Sequence, residues 1–119
     1  MLIHAICDAL LGAANLRDIG FHFPDTSDDF KGADSKILLT KVVELLYEKG
    51  WQVENIDSTL CLEKPKINPH IQQMTDILAP IIKVDTDAIS IKATTNEKMG
   101  FIGREEGVTA YAVALLKSI

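Results

Sequence analysis

The chain has 119 residues, 47% of them hydrophobic and 24% charged, a balance that excludes a disordered chain and fits one small domain. Its 12 basic and 17 acidic residues give a net charge of −5 with no basic stripe, which argues against a nucleic-acid binder. No apolar run reaches membrane-spanning length, and Met1-Leu2-Ile3-His4 lacks the basic flank of a signal peptide, so a cytoplasmic protein with no membrane partner is expected.

Residues 2–16 read as a helix apolar on most sides, with His4 and Asp8 as polar exceptions on one face. A long loop follows from about Arg17 to Gly32, and long ordered loops are often functional. A second helix begins at Asp34 or Ser35, either of which can cap it, and stops at Gly50. Its apolar stripe is Ile37, Leu38, Val42, Leu45 and Leu46, crossed by Lys41.

Trp51 to Glu63 alternates as a strand, with Ile56, Ser58, Leu60 and Leu62 on one side and Asp57, Thr59, Cys61 and Glu63 on the other. Asn68-Pro69 opens a third helix whose buried face is Ile71, Met74, Ile77, Leu78 and Ile81, and Pro80 should kink or end it. Ala88 to Ala93 is a short strand. Thr94 and Glu97 then have capping-box spacing for a short helix or turn. Gly107 to Leu116 reads as a central strand buried on both faces, although a helix fits the same residues. This order predicts an α+β fold, a small mixed β-sheet with helices packed on it. A chain this short buries about two-thirds of its unfolded surface, so part of its apolar surface can need a partner subunit. Cys7 and Cys61 lie in apolar segments without metal-type spacing and are expected as reduced thiols.

Five stretches join polar chemistry to turn-forming residues: His4 to Asp8, Asp18-Ile19-Gly20, Phe23 to Thr26, Lys64-Pro65-Lys66, and Lys92 to Arg104. Histidine and carboxylates ligate divalent ions, lysine meets phosphate as a point charge, and threonine with backbone amides completes a cradle. Each stretch also has a plain structural reading. His4 can be a satisfied helix histidine, and Asp18 and Asp25 can make Asx-turns. Lys66 can be a solvated lysine, and Thr94 with Glu97 can be only a cap. The residues by themselves lead to an α+β domain with a candidate anionic-ligand site.

The same stretches, in this order, resemble the 2-C-methyl-D-erythritol 2,4-cyclodiphosphate synthase family. His4-Ala-Ile-Cys-Asp8-Ala-Leu-Leu-Gly12-Ala matches an H-A-x-x-D-A-L-L-G-A helix, and Asp18-Ile-Gly20, Phe23-Pro-Asp25-Thr26 and Phe30 to Ser35 continue it. Pro65-Lys66, Pro69-His70-Ile71, and Lys92-Ala-Thr-Thr-Asn-Glu97-Lys-Met-Gly-Phe101 with Gly103-Arg104 and Glu106-Gly107 complete it. The helix and the K-A-T-T-x-E-x-x-G-F stretch are the specific motifs.

The resemblance implies a homotrimer with active sites between subunits. It implies conversion of 4-diphosphocytidyl-2-C-methyl-D-erythritol 2-phosphate to the 2,4-cyclodiphosphate, with release of CMP. By position, His4 would ligate a zinc-type ion and Glu97 a magnesium or manganese ion, and Thr95 would steady the transition state. Asp18, Ile19 and Gly20 with Phe23, Pro24, Asp25, Thr26 and Ser27 would line the methylerythritol phosphate pocket. Leu62, Glu63, Lys64, Pro65, Lys66, Ile67 and Asn68 would hold the cytidine diphosphate part, continued by Thr94, Thr95, Asn96 and Glu97. Phe101 and Arg104 would complete the substrate surface and a cavity near the trimer axis. A plastid location would follow if a transit peptide had been removed.

Two departures qualify the match. The family pattern begins roughly forty residues earlier, with a D-x-H stretch and an H-S-D-G loop, and a catalytic zinc normally takes three protein ligands. The chain therefore reads as an N-terminally truncated member, and a non-catalytic nucleotide-binding or structural trimer is the alternative. Tyr111 also stands where the family commonly has a glutamate in the last strand.

Overall fold

The computed structural model describes residues 1–24 and 34–119. Helix α1 spans Leu2–Ala13 and buries Leu2, Ile6, Cys7, Leu10 and Leu11, the i, i+4 rows of an inward face. It stops earlier than periodicity suggests because Asn15 takes a left-handed φ of 57°. The Asn15 amide then donates to the Gly12 carbonyl and that of Leu16 to Leu11, a Schellman ending.

Among the described residues of the expected loop, a short helical turn, α2 (Ile19–His22), forms. Helix α3 (Ser35–Glu48) starts at Asp34, whose carboxylate accepts from the Lys36 amide at 2.9 Å. Its buried face is Leu38, Leu39, Val42, Val43 and Leu46. The expected stripe was rotated by about one position: Ile37 is 52% exposed, whereas Leu39 and Val43 are sealed.

Strand β1 (Trp51–Cys61) follows the turn at Gly50, whose φ of +88° suits a residue without Cβ. Ile56, Ser58, Leu60 and, just beyond the strand, Leu62 point inward as expected. Buried Ser58 is satisfied by donating to the Ser90 carbonyl at 2.9 Å. A 3-10 turn at Asn68–His70 leads into α4 (Ile71–Ile82). Pro80 does not end this helix; it continues to Ile82, and Lys83 with φ 68° closes it. Ile77, expected inside, is 43% exposed.

Strand β2 (Ile89–Thr94), the short α5 (Gly100–Gly103) and strand β3 (Thr109–Ser118) complete the chain. The sheet order is β2-β1-β3, with β2 parallel and β3 antiparallel to β1. The mixed α+β sheet is thus as expected, with α1, α3 and α4 on one face. Ile6, Leu10, Leu11, Leu39, Leu46, Ile56 and Ile82 are the largest fully buried side chains. Each such burial contributes about 1.5–3 kcal/mol.

The last strand departs from expectation. It is a strand, but at an edge of the described sheet and covered on one face only. Ala110, Ala112, Ala114 and Leu116 pack inward, while Tyr111, Val113 and Leu115 are 64%, 73% and 59% exposed. Hydrophobicity on both faces marked surface that the described residues do not cover.

Candidate functional site

Strands β1 and β2 run parallel, so their carboxyl ends open at the same edge of the sheet. Such edges are where ligands commonly bind in sheets with parallel strands. The register pairs Leu60 with Ala93 and Cys61 with Thr94, and the Leu62 amide donates to the Thr94 carbonyl at 3.0 Å. Beyond that point the chains diverge and leave a cleft of about 190 Å³. Leu62, Glu63, Pro65, Lys66, Ile67 and Asn68 line one side, and Ala93, Thr94 and Thr95 the other. The peptide between Lys64 and Pro65 is cis.

Two sequence-predicted segments, about thirty residues apart, are therefore brought together by the β-ladder. Ala93 was not anticipated. Its period-2 position between Lys92 and Thr94 was the available signal, and its small side chain leaves the cleft wall open.

Charge at the cleft is sparse. Lys64 pairs with Glu105 at 3.6 Å, and Arg104 donates through Nε to both oxygens of Glu106 at 3.0 and 2.9 Å. Lys66 is exposed and, among the described residues, is paired with no carboxylate. It is the cleft-lining cation available to a phosphate. Lys92, from the same motif as Thr94 and Thr95, does structural work instead. Its ammonium meets Asp57 across the parallel strands at 2.9 Å, and this bond holds the Asp57 carboxyl below its usual range.

The stretch after β2 is not the expected capping box. β2 runs through Thr94, whose hydroxyl donates to the Thr95 carbonyl at 3.3 Å. Thr95 Oγ1 accepts from the Glu97 amide at 3.3 Å, so the local turn is built on Thr95 instead. Glu97 and Lys98 have φ of 52° and 64°, and both are exposed. Lys64, Asn96, Glu97, Phe101 and Arg104 flank the cleft segments in sequence but do not line the cleft. Phe101 is half exposed and packs near Gly107, where an added Cβ would sit 3.2 Å from its ring.

The second group of predicted residues surrounds the exposed face of α1. His4 Nε2 lies 3.5 Å from Ser35 Oγ at the start of α3. Asp8 Oδ1 accepts from the Ile19 amide at 2.9 Å, so Asp8 fixes the start of Asp18-Ile19-Gly20. At Gly20 an added Cβ would meet Asp18 Oδ2 at 3.2 Å. His22 Nε2 contacts the Leu16 carbonyl at 2.6 Å, and Arg17 stacks 4.2 Å from the Phe21 ring centroid. Phe23 and Pro24 end this described segment, and Asp25, Thr26 and Ser27 lie outside the described residues.

Both cysteines are free, with Cys7 buried and Cys61 partly buried. Burial, with the Asp8 charge adding, pushes the Cys7 thiol up to about 12. A neutral, inert thiol follows.

Among the described residues no three His, Cys, Asp or Glu side chains converge. Asp8, the carboxylate nearest His4 in sequence, already binds a backbone amide. His4 and Glu97 can each offer one ligand, but the described residues do not form the set of three that a catalytic zinc normally takes. No helix among them is long and apolar enough to cross a membrane.

Comparison with known proteins gives this geometry its context. A curated 2-C-methyl-D-erythritol 2,4-cyclodiphosphate synthase from Cytophaga hutchinsonii is 62% identical over 116 residues, spanning 98% of this chain and 73% of the relative. The bifunctional IspDF of Campylobacter jejuni superposes with a TM-score of 0.95 at 41% identity, covering 99% of this chain and 32% of that longer one. Plasmodium falciparum IspF in its CDP complex gives a TM-score of 0.85 at 30% identity, covering 98% of this chain and 69% of that one. The YgbB family description matches residues 1–117, and with these relatives it shows that the chain belongs to the YgbB family, that of the 2-C-methyl-D-erythritol 2,4-cyclodiphosphate synthases.

Proposed function

We propose that the chain carries the cyclodiphosphate synthase chemistry of its family and binds the cytidine diphosphate part of its substrate in the cleft at the ends of β1 and β2. The cleft is the observation that carries this reading: Leu62, Glu63 and residues 65–68 form one concave surface with residues 93–95. The CDP complex of the Plasmodium relative supports the ligand class.

In the reaction, an oxygen of the substrate's 2-phosphate attacks the β-phosphorus. A new P–O bond forms as the bond to the oxygen bridging to the α-phosphorus breaks, and that electron pair leaves with CMP. The protein must bring two repelling phosphates together and offset their charge. Lys66 and the Thr95 hydroxyl are the proposed groups at the diphosphate. Asp18, Ile19 and Gly20, with Phe23 to Ser27, are proposed for the methylerythritol end.

A divalent ion would supply further charge neutralisation; His4 and Glu97 are the proposed single contacts, to a zinc-type and a magnesium or manganese ion respectively. The exposed row Tyr111, Val113 and Leu115 supports a homotrimer, since apolar patches of this kind mark protein contacts. We further propose cytoplasmic action.

The test is CMP release from the diphosphocytidyl substrate with zinc and magnesium, run beside a CDP titration. Turnover with CDP binding supports the reading. CDP binding without turnover favours a non-catalytic nucleotide-binding or structural trimer, the alternative that the absent D-x-H stretch motivates. Failure to bind millimolar CDP would sink the cleft assignment.

A further inference from the structure

We infer that Glu63, which lines the cleft, is a positioning residue for the loop that bears Thr95 and Glu97; the catalytic part of this inference rests on the proposed reaction. After β2 ends at Thr94, the chain must leave the sheet and re-enter as α5 at Gly100. It does so with three left-handed positions out of four: Glu97 at φ 52°, Lys98 at 64° and Gly100 at +69°. Two of these carry side chains, and L-residues avoid that region because Cβ crowds the backbone. A loop of this shape needs outside restraint.

Two restraints act on Lys98. Glu63 Oε1 accepts from the Lys98 amide at 2.7 Å, reaching across from the segment that follows β1. This is a charge-assisted bond, in a class stronger than neutral pairs. From the other side Gly103 packs so closely that a Cβ there would lie 2.1 Å from the Lys98 carbonyl carbon. Lys98 is thus held between a carboxylate and α5. Glu97 and Thr95 are fixed as a consequence, because the Glu97 amide donates to Thr95 Oγ1 at 3.3 Å.

Charge favours the same role. A carboxylate facing a diphosphate would repel it, whereas Glu63 directs Oε1 to the Lys98 amide of the loop. Glu63 therefore serves the cleft by tying its two walls together, with the loop orientation as the output.

The test compares Glu63→Gln, Glu63→Asp and Glu63→Ala in the full chain. Hydrogen exchange at the Lys98 amide, followed by NMR, reports on the bond without needing activity or ligand. Glu63→Ala and the shorter Glu63→Asp should speed that exchange about ten- to a hundredfold, while Glu63→Gln, whose carbonyl can still accept but without the charge, should speed it by less than about tenfold. In the CMP-release assay the same two variants should lower kcat about tenfold or more with KM within about threefold, and Glu63→Gln should be rescued.

Unchanged Lys98 exchange in both Glu63→Ala and Glu63→Asp would overturn the inference. So would weakened CDP binding with intact exchange protection, which would make Glu63 a ligand contact. Wild-type protein that protects Lys98 through Glu63 yet binds no CDP would refute the cleft assignment and leave the tether standing.

Discussion

The cleft at the ends of β1 and β2 and the polar face of α1 carry the two halves of the predicted site, and they are built differently. Cleft residues are positioned by a continuous parallel ladder from Ile56–Ile89 to Cys61–Thr94, then by the Glu63–Lys98 bond. On the α1 face, among the described residues, each proposed side chain has one such tie, Asp8 to the Ile19 amide and His4 to Ser35. Ladder hydrogen bonds act cooperatively on every residue along the strand, whereas a single exposed bond restrains only its own partners. One region is therefore held as a continuous surface, while the described groups of the other are held one by one.

The largest test of that contrast is Gly103→Val. A branched side chain cannot fit where a single Cβ already lies 2.1 Å from the Lys98 backbone. Overpacking of this kind should cost about 1–3 kcal/mol or more, read by denaturant unfolding. CDP binding should fall with it, while exchange protection of the Ile19 amide stays as in wild type. Loss of protection at both places would mean that the two regions are coupled.

Titration of Cys7, on α1, gives the next effect. Its folded-state value is raised to about 12 from an ordinary 9.0, so the unfolded chain loses its thiol proton first. Stability from the neutral thiol is fully present below pH 9 and should fall as pH rises between 9.0 and about 12, by about 1.4 kcal/mol per pH unit. Chemical denaturation across that range, compared with Cys7→Ala, should show the slope in wild type only.

A change of similar size on the ligand side is expected for Lys66→Ala. Losing this cleft cation, unpaired among the described residues, should weaken CDP binding about five- to tenfold by calorimetry, with a steeper loss at low salt and unchanged melting temperature. Asp8→Ala should cost about 1 kcal/mol, in the range of a lost helix cap, with faster exchange confined to Ile19 and its neighbours.

The smallest effect concerns Asp57. Lys92 lowers its folded-state value, so the contribution is present above the ordinary carboxylate range and lost as pH falls through the depressed value. Asp57→Asn should flatten only that acid limb of the stability profile, and no change in CDP binding should accompany it.

How much of this was legible beforehand depends on the distance over which each feature is decided. The inward side of β1 follows from strict alternation of Ile56, Ser58, Leu60 and Leu62, and the start of α3 follows from Asp34, which caps within two residues. Such features are local, and local chemistry is written in neighbouring residues. Helix limits were less readable. Asn15 in the left-handed region ended α1 early, and α4 ran past Pro80 to Ile82. The face of α3 was misjudged at Ile37 because the choice between adjacent apolar rows is made by the packing partner.

The sequence by itself determined the order of the main helices and strands, the inward face of β1, the two thiols without a disulfide and, through its motifs, the family. Those follow from residue types acting over one or two turns of chain. Only the tertiary structure decided that the segment after β1 meets residues 93–95, that Glu63 reaches Lys98, and that one face of β3 is left open by the described residues. Each depends on which strand lies beside which, and that choice is settled by packing among segments far apart in the chain.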